Sequence, residues 1–235
     1  MREYLPQEIK KEKDKLASYF KNSILYIDSN VYMTEEANGF FIFISEDLFK
    51  IKNYDINIIM LKEQYTEMYK IKKNKDNQES AKSARDAFRL IEELQEDGCI
   101  TIENLDIESN AKSYADPILI KRIISHLKNN ENVIFVTFDS DLKIRLREQI
   151  KQNNLNRNLL KILSFKDIEF LDVEQLIEEG AVYCNECEEY VFPLEDTDSD
   201  TEDDGSMFYI YNYIINYCPK CENIFNKRKV STQCL

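Results

Sequence analysis

Val133-Ile134-Phe135-Val136-Thr137-Phe138-Asp139-Ser140-Asp141-Leu142 decides how this chain folds. The first six residues form the strongest strand candidate in the sequence. The run ends at a carboxylate and passes directly into a helix predicted over Asp141 to Gln152. The same grammar recurs on either side. Upstream, Asp116-Pro117 opens a helix, with Asp read as N-cap and Pro in the first turn. Before it stand a short strand at Cys99 to Ile102 and a helix from Ala81 to Asp97. That helix carries Ala84, Ala87, Phe88, Ile91 and Leu94 on one face and is closed by Gly98. Further back, Ile56 to Leu61 reads as a strand followed by a helix at Glu63 to Lys73. Ser23-Ile24-Leu25-Tyr26-Ile27-Asp28 is another apolar strand that ends in a carboxylate. Helical stretches are expected at Phe40 to Lys50 and in an amphipathic segment beginning at Pro6. Downstream, Leu159 to Leu163 supplies one more strand. Strands alternating with helices predict an α/β fold with a parallel sheet and helices on both faces.

The 235 residues suffice for one sizeable domain and a small appendage. A hydrophobic content of 43% supports a core, and four Gly and four Pro argue against a loop-dominated chain. The formal charge of -13 repels nucleic acid at long range and speaks against a general coat protein. It is compatible with a hydrolytic metal site, which consumes carboxylates. No apolar window has the length of a membrane span, so no membrane partner is expected. The opening Met1-Arg2-Glu3-Tyr4 lacks a secretory apolar stretch, and the expected compartment is the cytoplasm.

Ligands of open α/β sheets gather beyond the C-terminal ends of the strands. Asp28 and Asp139 stand at two such ends, Asp141 follows closely, and Asp116 precedes the strand of Asp139. Glu67 lies in the helix after the second strand, one turn beyond Glu63. If the strands are neighbours, these carboxylates converge, and like charges brought together need a cation. Oxygen ligands without His or Cys suit Mg²⁺ or Mn²⁺, and such ions activate water and hold a phosphoryl oxygen. Taken singly, Asp116 and Asp139 read as helix caps worth about 1 kcal/mol. Taken with Asp28, the ligand reading stands beside the cap reading.

Four segments resemble the motifs of PIN-domain ribonucleases, in that family's order over roughly residues 22–150. Ile24-Leu25-Tyr26-Ile27-Asp28-Ser29-Asn30-Val31 is similar to the opening strand. Glu67-Met68-Tyr69-Lys70-Ile71-Lys72 is similar to the second motif, with Glu67 at the acidic position and Glu63 as the alternative. Ala115-Asp116-Pro117-Ile118-Leu119 resembles the third, and Val136-Thr137-Phe138-Asp139-Ser140-Asp141-Leu142 the fourth. Ser83 to Ile91 resembles an Ala-Arg helix of one subgroup. The resemblance implies that Asp28, Glu67, Asp116 and Asp139 hold Mg²⁺ or Mn²⁺ and that Asp141 assists. It implies that Thr137 orients a ligand, with Asn30 near the metal or the scissile phosphate or capping the following helix. Arg85 and Arg89 are candidates for RNA phosphates, or solvated partners of Asp86 and Glu93. Lys143, Arg145 and Arg147 are open to the same two readings. A homodimer is a further expectation, because PIN domains often pair.

The composition changes after Gly180. Cys184-Asn185-Glu186-Cys187 and Cys218-Pro219-Lys220-Cys221 are two knuckles whose four thiolates complete a tetrahedral Zn²⁺ site. Four protein ligands leave no open position, so the expected role is structural. Between the knuckles, Glu195 to Asp204 reads as a mobile acidic loop within 195–205. Met207 to Tyr217 reads as an aromatic strand. Cys99 is expected in the core and Cys234 in the tail, and His126 is not expected to bind metal. The division expected is a PIN-like nuclease domain over 1–178 and a zinc ribbon over 179–235.

The function expected is metal-dependent endonucleolytic hydrolysis of RNA, leaving a 5′-phosphate and a 3′-hydroxyl. The alternatives are a flap-type nuclease acting on DNA and a non-catalytic adaptor whose ribbon or acidic loop binds RNA or a protein partner. A toxin, defence or RNA-processing role is open.

Overall fold

The computed structural model describes residues 6–74, 76–103, 114–203 and 208–234. Lys75 and the end of the expected acidic loop, at 204–205, lie outside them. The chain divides into two compact units, one over Gln7–Asp172 and one from Val173 onward. Helix α8 (Phe165–Glu178) runs through the division. Among the described residues no helix is long and apolar enough to cross a membrane.

The first unit opens with helix α1 (Pro6–Phe20) and strand β1 (Ser23–Ile27). A single turn, α2 (Ser29–Tyr32), follows, and then α3 (Asn38–Ile42). The helix expected at Phe40 to Lys50 forms, but from Phe43 to Ile51 it is wound as a π-helix. Strand β2 (Ile58–Leu61), helices α4 (Lys62–Lys72) and α5 (Gln78–Glu96), and strand β3 (Ile100–Glu103) come next. After them stand α6 (Ala115–Lys128), β4 (Asn132–Val136), α7 (Ser140–Gln152) and β5 (Leu160–Leu163). Local chemistry sets the ends of these elements. Asn77 caps α5 by accepting from the Ser80 amide at 3.0 Å, and Gly98 closes it at φ +75°.

The five strands form one parallel sheet in the order β3-β2-β1-β4-β5. Strand β1 pairs with β2 through Leu25↔Ile58 and with β4 through Ile27↔Val136. The chain builds leftward from β1 to β3, then returns to build rightward through β4 and β5. The switch point lies between β1 and β4, where the C-terminal ends of neighbouring strands open a crevice. Consecutive residues Leu25, Tyr26 and Ile27, and Val133 through Val136, are all buried, so both faces of the sheet are covered. One face packs Tyr26, Val133 and Phe135 against Leu119, Ile123 and Leu127 of α6 and Leu142, Leu146 and Ile150 of α7. His126 serves this core. Its Nε2 lies 2.9 Å from the hydroxyl of fully buried Tyr26, and its Nδ1 lies 2.7 Å from Glu131.

Gly39 is required by a close approach within the same unit. A Cβ there would stand 2.6 Å from the backbone nitrogen of Asp172, whose carboxylate accepts from the Gly39 amide at 2.7 Å. Burial pushes the Asp172 carboxyl up to about 6.

The second unit holds a two-stranded hairpin, β6 (Val182–Cys184) with β7 (Glu189–Val191). Beside it in sequence come β8 (Leu194–Asp203), β9 (Phe208–Tyr217) and β10 (Ile224–Cys234), an antiparallel sheet ordered β10-β9-β8. The acidic run expected as a mobile loop is therefore an edge strand, paired residue for residue with β9 from Leu194↔Tyr217 to Asp203↔Phe208. Asp and Glu are poor strand formers, but an edge position turns them to solvent and a basic strand answers them. The Lys227 ammonium lies 2.9 Å from both Asp198 and Asp200 and 4.3 Å from the Tyr213 ring centroid. That charge pattern depends on β10, which local composition does not reveal.

Candidate functional site

Asp28 follows the last residue of β1 and is buried, with its backbone amide bonded to the Val136 carbonyl across the switch point at 2.9 Å. The hydroxyl of Thr137, wholly buried at the end of β4, donates to Asp28 Oδ2 at 2.8 Å. The same hydroxyl accepts from the Asp139 amide at 3.1 Å. One Thr side chain thus fixes the ends of two adjacent strands. Burial raises the Asp28 carboxyl to about 6. The Thr137 hydrogen bond opposes that rise, and the charges of Asp116 and Asp139 add to it.

Asp139 is a helix cap: its Oδ1 accepts from the amides of Asp141 at 2.7 Å and Leu142 at 3.3 Å. Asp116 is not the cap the sequence suggested. Helix α6 starts two residues earlier, with Tyr114 at the N-cap, and the Asp116 carboxylate is 3.0 Å from Arg145. Arg145 also approaches Asp141, at 3.6 Å. Glu67 Oε1 accepts from the Ala115 amide at 2.9 Å, which ties α4 to the first turn of α6 beside Asp116. Glu63, one turn earlier on α4, makes no such tie among the described residues. Each of Glu67, Asp116 and Asp139 has one carboxylate oxygen engaged, which leaves the other for a ligand.

Asn30 lies within α2 and does not cap it; Asp28 holds the N-cap position. Its Oδ1 is buried without a hydrogen-bond partner. A buried acceptor left open two residues from Asp28 fits a ligand more readily than it fits a packed core. Arg85 and Arg89 are exposed on α5, and Arg89 pairs with Asp86 at 3.1 Å. Neither is bonded to the carboxylates.

Two participants escaped the sequence. Gln64, fully buried, donates from Nε2 to the Ile27 carbonyl at 2.9 Å and accepts from the Leu61 amide at 3.1 Å. It welds the end of β1 to the start of α4. Its signal was a Gln three residues past a strand end, the N3 position of a capping box. Arg145 was visible only as one of three cations, and its pairing with Asp116 follows from the packing of α6 on α7.

In the second unit, the ligand atoms of Cys184, Cys187, Cys218 and Cys221 lie within 4.8 Å of one another. Sulfur separations are 3.6 Å for Cys184–Cys221 and 3.7 Å for Cys187–Cys218. Four sulfurs about 2.3 Å from a central zinc stand about 3.8 Å apart in a tetrahedron, so the four cysteines can bind such an ion. Burial raises the Cys218 thiol, but backbone amides of Lys220 and Cys221 outweigh it and bring the pKa down to about 7. Each knuckle turns at the residue after its second cysteine, Glu188 at φ +55° and Glu222 at φ +61°. Among the described residues this quartet is the one group of three or more candidate ligands gathered so tightly. The carboxylates at the sheet are spaced more widely.

Comparison of the chain with models of known protein families and with curated proteins finds no match.

Proposed function

We propose that this protein is a metal-dependent endoribonuclease of the PIN-domain kind, with a structural zinc ribbon at its C-terminal end. The observation that carries the reading is Asp28, a carboxylate buried at the switch point of a 3-2-1-4-5 parallel sheet and close enough to Asp116 and Asp139 for their charges to raise its pKa. A fold gains no stability from holding a buried acid against like charges, and a divalent cation removes the conflict.

Asp28, Glu67, Asp116 and Asp139 would hold Mg²⁺ or Mn²⁺, with Asp141 at the margin. A bound ion of that type supplies an activated water and a clamp on a phosphoryl oxygen. The chain's own residues do the positioning. Thr137 holds Asp28 and the start of α7 in one geometry, and the α7 amides orient Asp139 by engaging one of its oxygens. Gln64 keeps α4, and hence Glu67, against the end of β1. Arg145 neutralises Asp116 and can swing toward a phosphate, since it is only half-buried. The Glu67 bond to the Ala115 amide supports Glu67 over Glu63 as the ligand. RNA as substrate and a homodimer rest on the resemblance to PIN domains.

Cleavage of mixed RNA and single-stranded DNA with Mn²⁺, Mg²⁺ or EDTA, beside Asp139→Asn, tests the reading. Metal-dependent RNA cutting that disappears in the variant is expected. Intact RNA with folded, zinc-loaded protein would move the assignment to a non-catalytic adaptor, and cutting confined to DNA would move it to the flap-type alternative.

A further inference from the structure

The cations of α7 divide between two faces of the helix. Arg145 faces the carboxylates, bonded to Asp116 and near Asp141. Lys143 and Arg147, one turn apart, belong to the opposite face and line an open depression of about 290 Å³. Ser140, Ile144, Ile162, Ser164 and Asp167 complete its lining. Neither Lys143 nor Arg147 is ion-paired among the described residues. The one acid in its lining, Asp167, is held in place by Ser164, whose amide and hydroxyl donate to Oδ2 at 2.8 Å and 2.6 Å.

Position gives these cations their meaning. The Lys143 amide donates to the Asp139 carbonyl, so the Lys143 backbone stands one helical turn, about 5.4 Å along the axis, beyond that of Asp139. The depression therefore opens at the same sheet edge as the carboxylates, on the β5 side. A strand crossing that edge could meet both the depression and the carboxylates. On a chain of formal charge -13, long-range attraction to a polyanion is absent, and binding has to come from local cations free to contact phosphate.

We propose that Lys143 and Arg147 form a subsite for a backbone phosphate of single-stranded RNA flanking the scissile bond. This rests on the nuclease reading and names how that site holds its substrate. Contacts of this kind fix register without reading bases, so the subsite predicts sequence-tolerant binding at this position.

The test is the salt dependence of binding of a fluorescent oligouridylate to the full, zinc-loaded chain without Mg²⁺ or Mn²⁺. Lys143→Ala with Arg147→Ala is compared with Lys128→Ala plus Lys151→Ala, which removes equal charge at the far ends of α6 and α7. Two lost phosphate contacts lower the slope of log affinity against log salt by about 1.4 in the first variant, at about 0.7 per contact. The second variant retains the wild-type slope. An unchanged slope in the first variant, an equal fall in both, or no binding by the wild type would overturn the proposal. Cleavage with Mn²⁺ is measured on the same proteins. RNA cutting by the wild type with no slope change removes the subsite alone. A slope change without cutting removes the nuclease reading and leaves a phosphate site.

Discussion

Replacing Asp28 with Asn should abolish function and stabilise the metal-free protein. Burial and two neighbouring carboxylates raise the Asp28 carboxyl from 3.8 to about 6. A shift of roughly two units at about 1.36 kcal/mol each corresponds to about 3 kcal/mol. The sign follows from linkage. A carboxyl with a raised folded-state pKa contributes stability fully below its unfolded value, and that contribution is lost as pH rises through the folded value. The wild type therefore weakens between about pH 4 and pH 6 and stays weaker above. Asn keeps an acceptor for the Thr137 hydroxyl and cannot ionise, so Asp28→Asn escapes the loss. Above pH 7 the variant should melt roughly 5–10 °C higher, with about 3 kcal/mol as the upper bound of the gain. The assay is thermal denaturation across that pH range by circular dichroism, on protein dialysed free of Mg²⁺ and Mn²⁺ with zinc retained. Added Mn²⁺ should raise the wild-type midpoint and leave the variant's unchanged. A variant that melts at or below the wild type at neutral pH, or whose advantage does not vary with pH, would refute the account of Asp28 as a carboxylate held ready for a cation.

Three further outcomes follow from particular contacts. Gln64→Leu leaves the Ile27 carbonyl and the Leu61 amide buried without their partner, and urea unfolding should register a loss of about 2–4 kcal/mol. Gly39→Ala drives a Cβ to 2.6 Å from the backbone at Leu171 and Asp172, so the midpoint should fall by at least several degrees; an unchanged midpoint would mean that α3 does not pack so closely. Cys218→Ser breaks the thiolate quartet, and metal analysis should find one zinc per wild-type chain and loss of that zinc in the variant; equal zinc content in both would exclude the four-sulfur site.

Much of the fold was legible because its signals are local. An apolar run such as Val133 to Val136 can only be buried, and Gly98 or Asn77 closes or opens a helix through its own backbone and side chain. Two Cys-x-x-Cys pairs point to one ion whatever separates them, although the left-handed turns at Glu188 and Glu222 fall where Gly would have announced them. The acidic run at 195–203 differs from its expected loop for the opposite reason. Its own composition favours solvent, and only the partner strand and Lys227 make it a strand.

The candidate site divides along the same line. The sequence by itself determined that Asp28 and Asp139 end apolar strands and that Thr137 precedes one of them, because period and chain position are properties of short segments. Tertiary structure alone decided that β1 and β4 are neighbours, which puts the Thr137 hydroxyl between Asp28 and the Asp139 amide. It also decided that Asp116 meets Arg145, that Glu67 reaches the Ala115 amide, and that Gln64 is buried between two elements. Those contacts join residues far apart in the chain, and their partners are chosen by strand order and helix packing, which no local pattern encodes.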